Sequence, residues 1–411
     1  MSLELGEAAS RERRQALWLL ALTALALRLP LLLGAPGADY DLESYRLAAG
    51  SPLLKLYTDE ALQGRYPYLP GWWLVLKLCQ GFSAVSGLAF ERVVRLPGLA
   101  ADLAVSLLLH RLLERLTASR ALVGRSVWNT PAFWGALAWA ASPLSALITA
   151  GHGQFDSLPL FLLLLAAWQL EFSSSPRSEL NAALALGAAM SLKPWALAFL
   201  PFYLKTFLER REMLRFSLQT LCLPTALLLP WLAMDGPVAV AGRLAYSGAS
   251  TLSLPEALKA ALFASGASAQ VYQGARLALG ALGLAVLASL ALAYLAGPWR
   301  FPLLPGLALG ALTLLVAAPA LSVQYLSWPA CLALLSPGPL ARRLQAVGLA
   351  AALGVYLFLL PGTLAGSALP APPQTPGSLL LWAGANLGLW MFLAVEWARQ
   401  LGYCRRLSVR F

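Results

Sequence analysis

The chain has 411 residues, 59% of them hydrophobic and 12% charged, with a formal net charge of +11. Its mean hydropathy of +0.67 means far more apolar surface than water can solvate, which excludes a soluble globular domain. The basic excess suits the loops that orient a membrane protein, so no nucleic-acid partner is expected. The scattered Cys79, Cys222, Cys331 and Cys404 support neither a disulfide framework nor a zinc site.

Arg11, Arg13 and Arg14 precede the apolar run Ala16–Leu33, which lacks a small-residue cleavage site. It reads as a first span and not as a removable signal peptide. Further apolar stretches follow at Pro70–Leu88, Val93–Leu113, Pro131–Ala150, Leu158–Phe172, Asn181–Leu192, Trp195–Leu208, Phe216–Ala233, Leu277–Leu295, Pro302–Ala318, Tyr325–Leu335, Gln345–Leu360 and Leu379–Trp397. They lack the alternation of barrel strands, and in lipid each backbone amide must be paired within its own segment, so helices are predicted. If every stretch crossed, Arg111, Arg115, Arg120 and Arg125 would lie outside together with Arg210, Arg211 and Arg215, against the usual placement of basic loops. Keeping Pro70–Leu88 on the outer face removes the conflict. That stretch has Trp72 and Trp73 at its start and Lys77, Cys79 and Gln80 midway, as a juxtamembrane or re-entrant segment would. Arg111–Arg125, Arg177, Lys205–Arg215, Arg300, Arg342 with Arg343, and Arg405–Arg410 then all face the cytoplasm.

The predicted fold class is therefore all-α, a single polytopic integral membrane domain over 1–411 with about twelve transmembrane helices. Both termini are cytoplasmic, and the Arg-, Leu- and Ala-rich usage of a GC-rich genome places it in a bacterial inner membrane. Residues 34–92 form a long first external loop containing juxtamembrane segments, and 234–275 a second large external loop over the site. Pro361–Pro376 is a further external loop. The basic tail from Arg405 reads as an orientation signal on anionic lipid.

This threading collects polar residues from four distant segments on one face. The first external loop carries Asp39, Asp41 and Arg65-Tyr66-Pro67-Tyr68. The second segment is Gly151-His152-Gly153-Gln154-Phe155-Asp156, the third Ser191-Leu192-Lys193-Pro194-Trp195, and the fourth Ser322-Val323-Gln324-Tyr325-Leu326-Ser327-Trp328. Singly, each has an ordinary explanation: a solvated acidic pair, a snorkelling lysine, loop polars, belt aromatics. Asp102, inside a span, needs a partner within the bundle and reads as structural. Together the four segments can do more. A carboxylate can deprotonate a hydroxyl or hold a metal that does so, a lysine can neutralise a departing phosphate, and aromatics and amides can line a sugar site. The set suits sugar transfer from a lipid phosphate.

Asp41-Leu42-Glu43-Ser44-Tyr45-Arg46-Leu47-Ala48, Gly50-Ser51-Pro52 and Arg65-Tyr66-Pro67-Tyr68-Leu69-Pro70 resemble the first luminal loop of GT-C glycosyltransferases. Gly151 to Asp156 resembles the Gly-Gln-Phe-Asp element of bacterial mannosyltransferase-like proteins of that superfamily, and the Gly-His-Phe-Gln-Tyr-Asn of glucosyltransferases that extend the dolichol-linked oligosaccharide. Leu192-Lys193-Pro194 is similar to a Leu-Thr/Val-Lys-Pro/Gly element between two short helices. Ser322 to Trp328 is similar to the Ser-x-Gln-Tyr-x-x-Trp of glycolipid-anchor mannosyltransferases. The matching elements run in the family's order from about Asp39 to Leu335. Tyr-Pro-Tyr-Leu-Pro stands where the family has Tyr-Pro-Pro-Leu, and Ala48 where it often has Trp, departures that bear on the acceptor.

The resemblance implies that the acidic residue of the first loop is the base: Asp41, with Asp39 second. The expected reaction moves a hexose, mannose on the resemblance, from a polyprenyl-phosphate donor to a hydroxyl of a lipid, glycan or protein acceptor, with inversion. Lys193 and Arg65 would hold the leaving phosphate, and His152, Gln154, Asp156, Tyr66, Gln324, Tyr325 and Trp328 would line the sugar or acceptor site. No cofactor is required by this reading; a divalent Mg or Mn ion, if used, would sit on Asp39, Asp41 or Asp156. The rival readings are a lipid-linked sugar flippase and a secondary transporter. The latter keeps its ionisable site near mid-membrane and often repeats its halves, and no such repeat is visible.

Overall fold

A computed structural model describes residues 2–117, 126–244, 252–318, 321–360 and 375–410. Arg120, Arg125, most of the 361–376 loop and part of the 234–275 loop lie outside the described residues. The chain is an all-helical membrane protein. Among the described residues, seven helices are long and apolar enough to cross a bilayer: Ser10–Gly34, Phe90–Thr117, Pro131–His152, Arg210–Met234, Leu277–Ala296, Leu340–Leu357 and Pro376–Leu407. Their outward faces carry large apolar side chains, among them Trp18, Leu218, Leu282, Leu292, Leu381 and Met391, a surface that only lipid solvates well.

The order begins with α1 (Ser2–Gly34), α2 (Asp39–Gly50), α3 (Pro70–Ser86), α4 (Phe90–Val93) and α5 (Leu96–Thr117). Next come α6 (Pro131–Ala140), α7 (Pro143–Ala146), a π turn at Leu147–His152, α8 (Ser157–Phe172) and α9 (Ser178–Leu192). A 3-10 stretch, Pro194–Phe199, leads through α10 (Leu200–Leu204) to α11 (Arg210–Met234), α12 (Pro237–Leu244), α13 (Leu254–Ala264) and α14 (Ala269–Ala296). The last part holds α15 (Leu303–Ala317), a 3-10 turn at Val323–Leu326, α16 (Ser327–Leu332), α17 (Leu340–Gly354), a π turn at Val355–Leu359 and α18 (Pro376–Leu407). A two-stranded antiparallel pairing, β1 (Trp299–Arg300) with β2 (Val409–Arg410), ties the α14–α15 connection to the C-terminal tail.

The core lies where α5, α6, α8 and α9 meet, around Leu109, Ala136, Trp139, Leu163, Leu186 and Ala189. Its many alanines let backbones approach closely, as helices in lipid require. Within it, Arg28 of α1 meets Asp102 of α5. The Nε–Oδ2 distance is 2.5 Å, and both side chains are fully buried. Asp102 also accepts from Trp139 Nε1 (2.8 Å) and Ser145 Oγ (2.6 Å), and Arg28 donates to the Ala140 carbonyl at 2.6 Å. The partner that Asp102 requires is thus Arg28, and the pair pins the kink between α6 and α7.

Helix direction sorts the charges. Asp156 at the start of α8 and Lys193 after the end of α9 meet at 2.7 Å, which fixes one end of the bundle. At the other end, Arg115 lies over the Trp168 ring, Arg215 pairs with Glu179, and Arg13 pairs with Glu114. The stretch after Lys193 then descends to Lys205, whose Nζ donates to Gly297 O. Over the site end, α12 clamps the first loop. Arg243 donates to the carbonyls of Tyr57, Asp59 and Leu62, and Asp235 accepts from Tyr57 N and Thr58 Oγ1.

Candidate active site

Each of the four segments has a local reason to present its side chains. Asp39 and Asp41 occupy the first turn of α2, where unpaired amides and the helix dipole favour negative charge. The amide of Ala38, just before that turn, donates to the His152 carbonyl at 2.9 Å, joining the first segment to the second. There the wider π turn, a feature frequent at functional sites, carries His152 and ends at Gly153. Gly153 has φ +93°, and a Cβ on it would lie 3.0 Å from the Leu42 side chain, so glycine is needed twice over. Asp156 precedes α8 but makes no side-chain cap to it, which leaves its carboxylate for other partners. Lys193 is extended (φ −138°, ψ 119°), as the residue before a proline prefers. Pro194 thereby breaks α9 at the lysine. In the fourth segment the 3-10 turn at Val323–Leu326 delivers Tyr325, and α16 delivers Trp328.

These side chains form one hydrogen-bonded chain. Tyr356 Oη lies 2.9 Å from His152 Nδ1, and His152 Nε2 lies 2.7 Å from Asp41 Oδ2. Gln154 Nε2 donates to the same Asp41 oxygen at 2.7 Å. The amide oxygen of Gln154 accepts from Tyr45 Oη (3.2 Å) and Lys193 Nζ (3.3 Å). Lys193 Nζ bonds Asp156 Oδ2 at 2.7 Å, and Trp328 Nε1 donates to Asp156 Oδ1 at 2.9 Å. Lys193, Asp156 and His152 are buried, whereas the Asp41 side chain is 25% exposed.

Aromatic rings wall this chain. Phe155 stacks on Trp72 with centroids 3.6 Å apart, and Trp195 stacks on Trp328 at 3.5 Å. The Lys193 ammonium sits 4.3 Å from the Phe155 ring centroid and within 6 Å of those of Tyr68 and Tyr325, a cation–π environment. Burial by itself raises the Asp41 carboxyl. Its contacts with His152 and Gln154 and the charge of Lys193 outweigh that and hold it below the ordinary value of 3.8. Asp41 is thus an ionised carboxylate at neutral pH.

Asp41, His152, Gln154, Asp156, Lys193, Tyr325 and Trp328, all expected at the site, come together. Others stand apart. Asp39 is exposed one turn-step away, and Arg65 lies over the Tyr40 ring with a long hydrogen bond to Ser44 Oγ. Tyr66 is buried with its hydroxyl on Leu69 O; Gln324, buried beside Tyr325, accepts from Ser327 Oγ through its backbone carbonyl. Tyr356, Tyr45 and Trp72 belong to the site although no expectation gave them a role there, and Tyr68 of the first loop joins them. Tyr356 sits in an apolar run with no polar neighbour to mark it. As a cage for a divalent ion, Asp39, Asp41 and Asp156 do not fit. Both Asp156 oxygens are taken by Lys193 and Trp328, and no three acidic, histidine or cysteine residues converge among the described residues.

Compared with known proteins, the chain matches no protein-family model, no curated protein and no solved structure.

Proposed function

We propose that the chain is an inverting, GT-C-type glycosyltransferase that moves a hexose, mannose first among candidates, from a polyprenyl-phosphate donor to an acceptor hydroxyl. The observation that carries the reading is Asp41: an ionised carboxylate, open to solvent on one side and held on the other by His152 and Gln154. Such a group can take a proton from a hydroxyl as that oxygen attacks the anomeric carbon. The bond from that carbon to the phosphate oxygen breaks, and the phosphate leaves with the electron pair. Oδ2 accepts both protein hydrogen bonds, so Oδ1 receives the proton. Lys193 is balanced by Asp156 and contributes field and shape, while Arg65, which lies over the Tyr40 ring outside the hydrogen-bonded chain, would have to turn inward to meet the phosphate.

A lipid donor is favoured by an apolar cavity of about 570 Å³. It starts at Pro194 and Trp195, directly after Lys193, and runs between the bundle and α14, past Phe202, Tyr294 and Trp397, to Arg405. An isoprenoid tail would fill it. On this reading the seven long helices are joined as crossings by the four shorter apolar ones and α9, which would bring the number to twelve. In that arrangement α3 lies on the outer leaflet through its exposed Leu74, Leu78, Phe82 and Val85, the basic loops and both termini are cytoplasmic, and the site faces outward.

Purified protein in detergent, given radiolabelled polyprenyl-phosphate mannose, glucose and arabinose in turn, with and without chelator, tests the reading. One donor is expected to yield labelled product, with the rate falling about 10²–10⁴-fold in Asp41→Asn. No product from any donor overturns it. Transfer of the same lipid between vesicle leaflets without a new glycosidic bond would make the protein a flippase.

A further inference from the structure

The hydrogen-bonded chain continues beyond the expected site to Tyr356, whose position has a chemical consequence. Tyr356 belongs to the π turn that ends α17, and His152 to the π turn that follows α7. Two irregular turns, 204 residues apart in sequence, thus face each other across the bundle. Their register is fixed. Ser142 Oγ bonds Gln345 Oε1 at 2.6 Å, and α17 packs so closely there that a Cβ on Gly348 would lie 2.8 Å from Leu144. The Tyr356 side chain is only 1% exposed, so its hydroxyl must find a partner inside, and His152 Nδ1 is that partner.

A carboxylate only accepts hydrogen bonds, so the 2.7 Å contact from Asp41 Oδ2 to His152 Nε2 puts a proton on Nε2. In a neutral imidazole Nδ1 then bears a lone pair, and the 2.9 Å contact is the Tyr356 hydroxyl donating to it. We propose that Tyr356 is a positioning residue for Asp41: by donating to Nδ1 it holds His152 as the neutral Nε2–H tautomer, which keeps Asp41 Oδ2 engaged and leaves Oδ1 to receive the acceptor's proton. The role in catalysis rests on the glycosyltransferase reading; the tautomer does not.

The chain contains only two histidines, His110 and His152, so ¹⁵N-histidine labelling of the full-length protein in nanodiscs gives an assignable spectrum, with His110→Gln as the assignment variant. The His152 signals are expected to show a neutral ring protonated at Nε2. Tyr356→Phe, which removes a single oxygen, takes the donor from Nδ1 while Asp41 still requires a proton on Nε2, and is expected to shift them toward the imidazolium. The same variant is expected to lower kcat about tenfold or more, because an imidazolium beside Asp41 makes the carboxylate a weaker base, while the donor KM stays within about twofold. A wild-type His152 protonated on Nδ1 or on both nitrogens overturns the proposal without any substitution. So does a Tyr356→Phe protein whose His152 signals are unchanged, even if its kcat falls. If the signals shift as expected but the wild type transfers no sugar, the positioning of Asp41 stands and the enzymatic reading fails.

Discussion

Lys193 and Asp156 are each 1% exposed, and neither would be stable in such a place without the other. Removing one partner of a buried pair typically costs about 3–5 kcal/mol, because the remaining charge is left uncompensated. Lys193→Met is therefore expected to lose donor use and thermal stability together, whereas Lys193→Met with Asp156→Leu should regain most of the melting temperature. If Lys193→Met melts like wild type, the pair is not the buried unit described here. At Asp41 the sign is set by its depressed pKa. Its contribution to stability is complete above the ordinary value of 3.8 and is lost as pH falls through the lower value of the folded state. A base must also be ionised, so activity falls in the same direction. Gln154→Leu removes one donor and should move the acid limb of kcat/KM to higher pH; an unmoved limb would mean that Gln154 does not touch the base. At this scale Asp41, Asp156 and Lys193 were legible because a charge in so apolar a chain is conspicuous. Arg28 and Tyr356 were not, since nothing in an apolar run says which distant run its polar atom meets.

The break at Lys193-Pro194 shows how far an element can be read from local chemistry: the proline bars the helical conformation one residue before it, and α9 ends there. The π turns are a different matter. Nothing in Leu147–His152 or Val355–Leu359 distinguishes a wide turn from an α-helical one, because the choice is made by tertiary packing, for the first turn against α1 and α5. Gly153→Ala tests the first of these turns. The new methyl would press on Leu42, next to Asp41, in a backbone conformation that alanine resists. Activity is expected to drop at least tenfold with little loss of melting temperature; wild-type activity would show that α2 does not take its position from the turn. The loosely packed α14, none of whose apolar window is buried, makes the outer wall of the cavity. Ala291→Trp should narrow that cavity and raise the KM for long-chain donors more than for short-chain ones. An equal rise for both would place the lipid tail elsewhere.

At the scale of the whole molecule, all-helical architecture and an apolar exterior follow from composition alone, and seven of the expected crossings are present as long helices. The rest are shorter. α9 has 15 residues, about 22 Å at the usual rise against roughly 30 Å of hydrocarbon, so hydropathy marks the run but not its depth. The threading is open to direct measurement. With the four native cysteines replaced, a Gln63→Cys variant should react with an impermeant thiol reagent in intact cells, and Glu209→Cys only after permeabilisation. Equal reactivity would undo the orientation and the outward-facing site with it.

The Arg28–Asp102 pair has a consequence for how the protein is made. An arginine or an aspartate at the centre of a lone helix disfavours partition into the bilayer by about 2.5–3.5 kcal/mol on insertion scales. Ribosomes finish the first helix well before Asp102 has emerged. The nascent first segment must then linger at the translocon, or beside a chaperone, until the second charge arrives. A stalled chain ending after Ser86 should remain crosslinkable to that machinery, and one ending after Phe172, from which Asp102 and the rest of α5 have emerged, should be released from it.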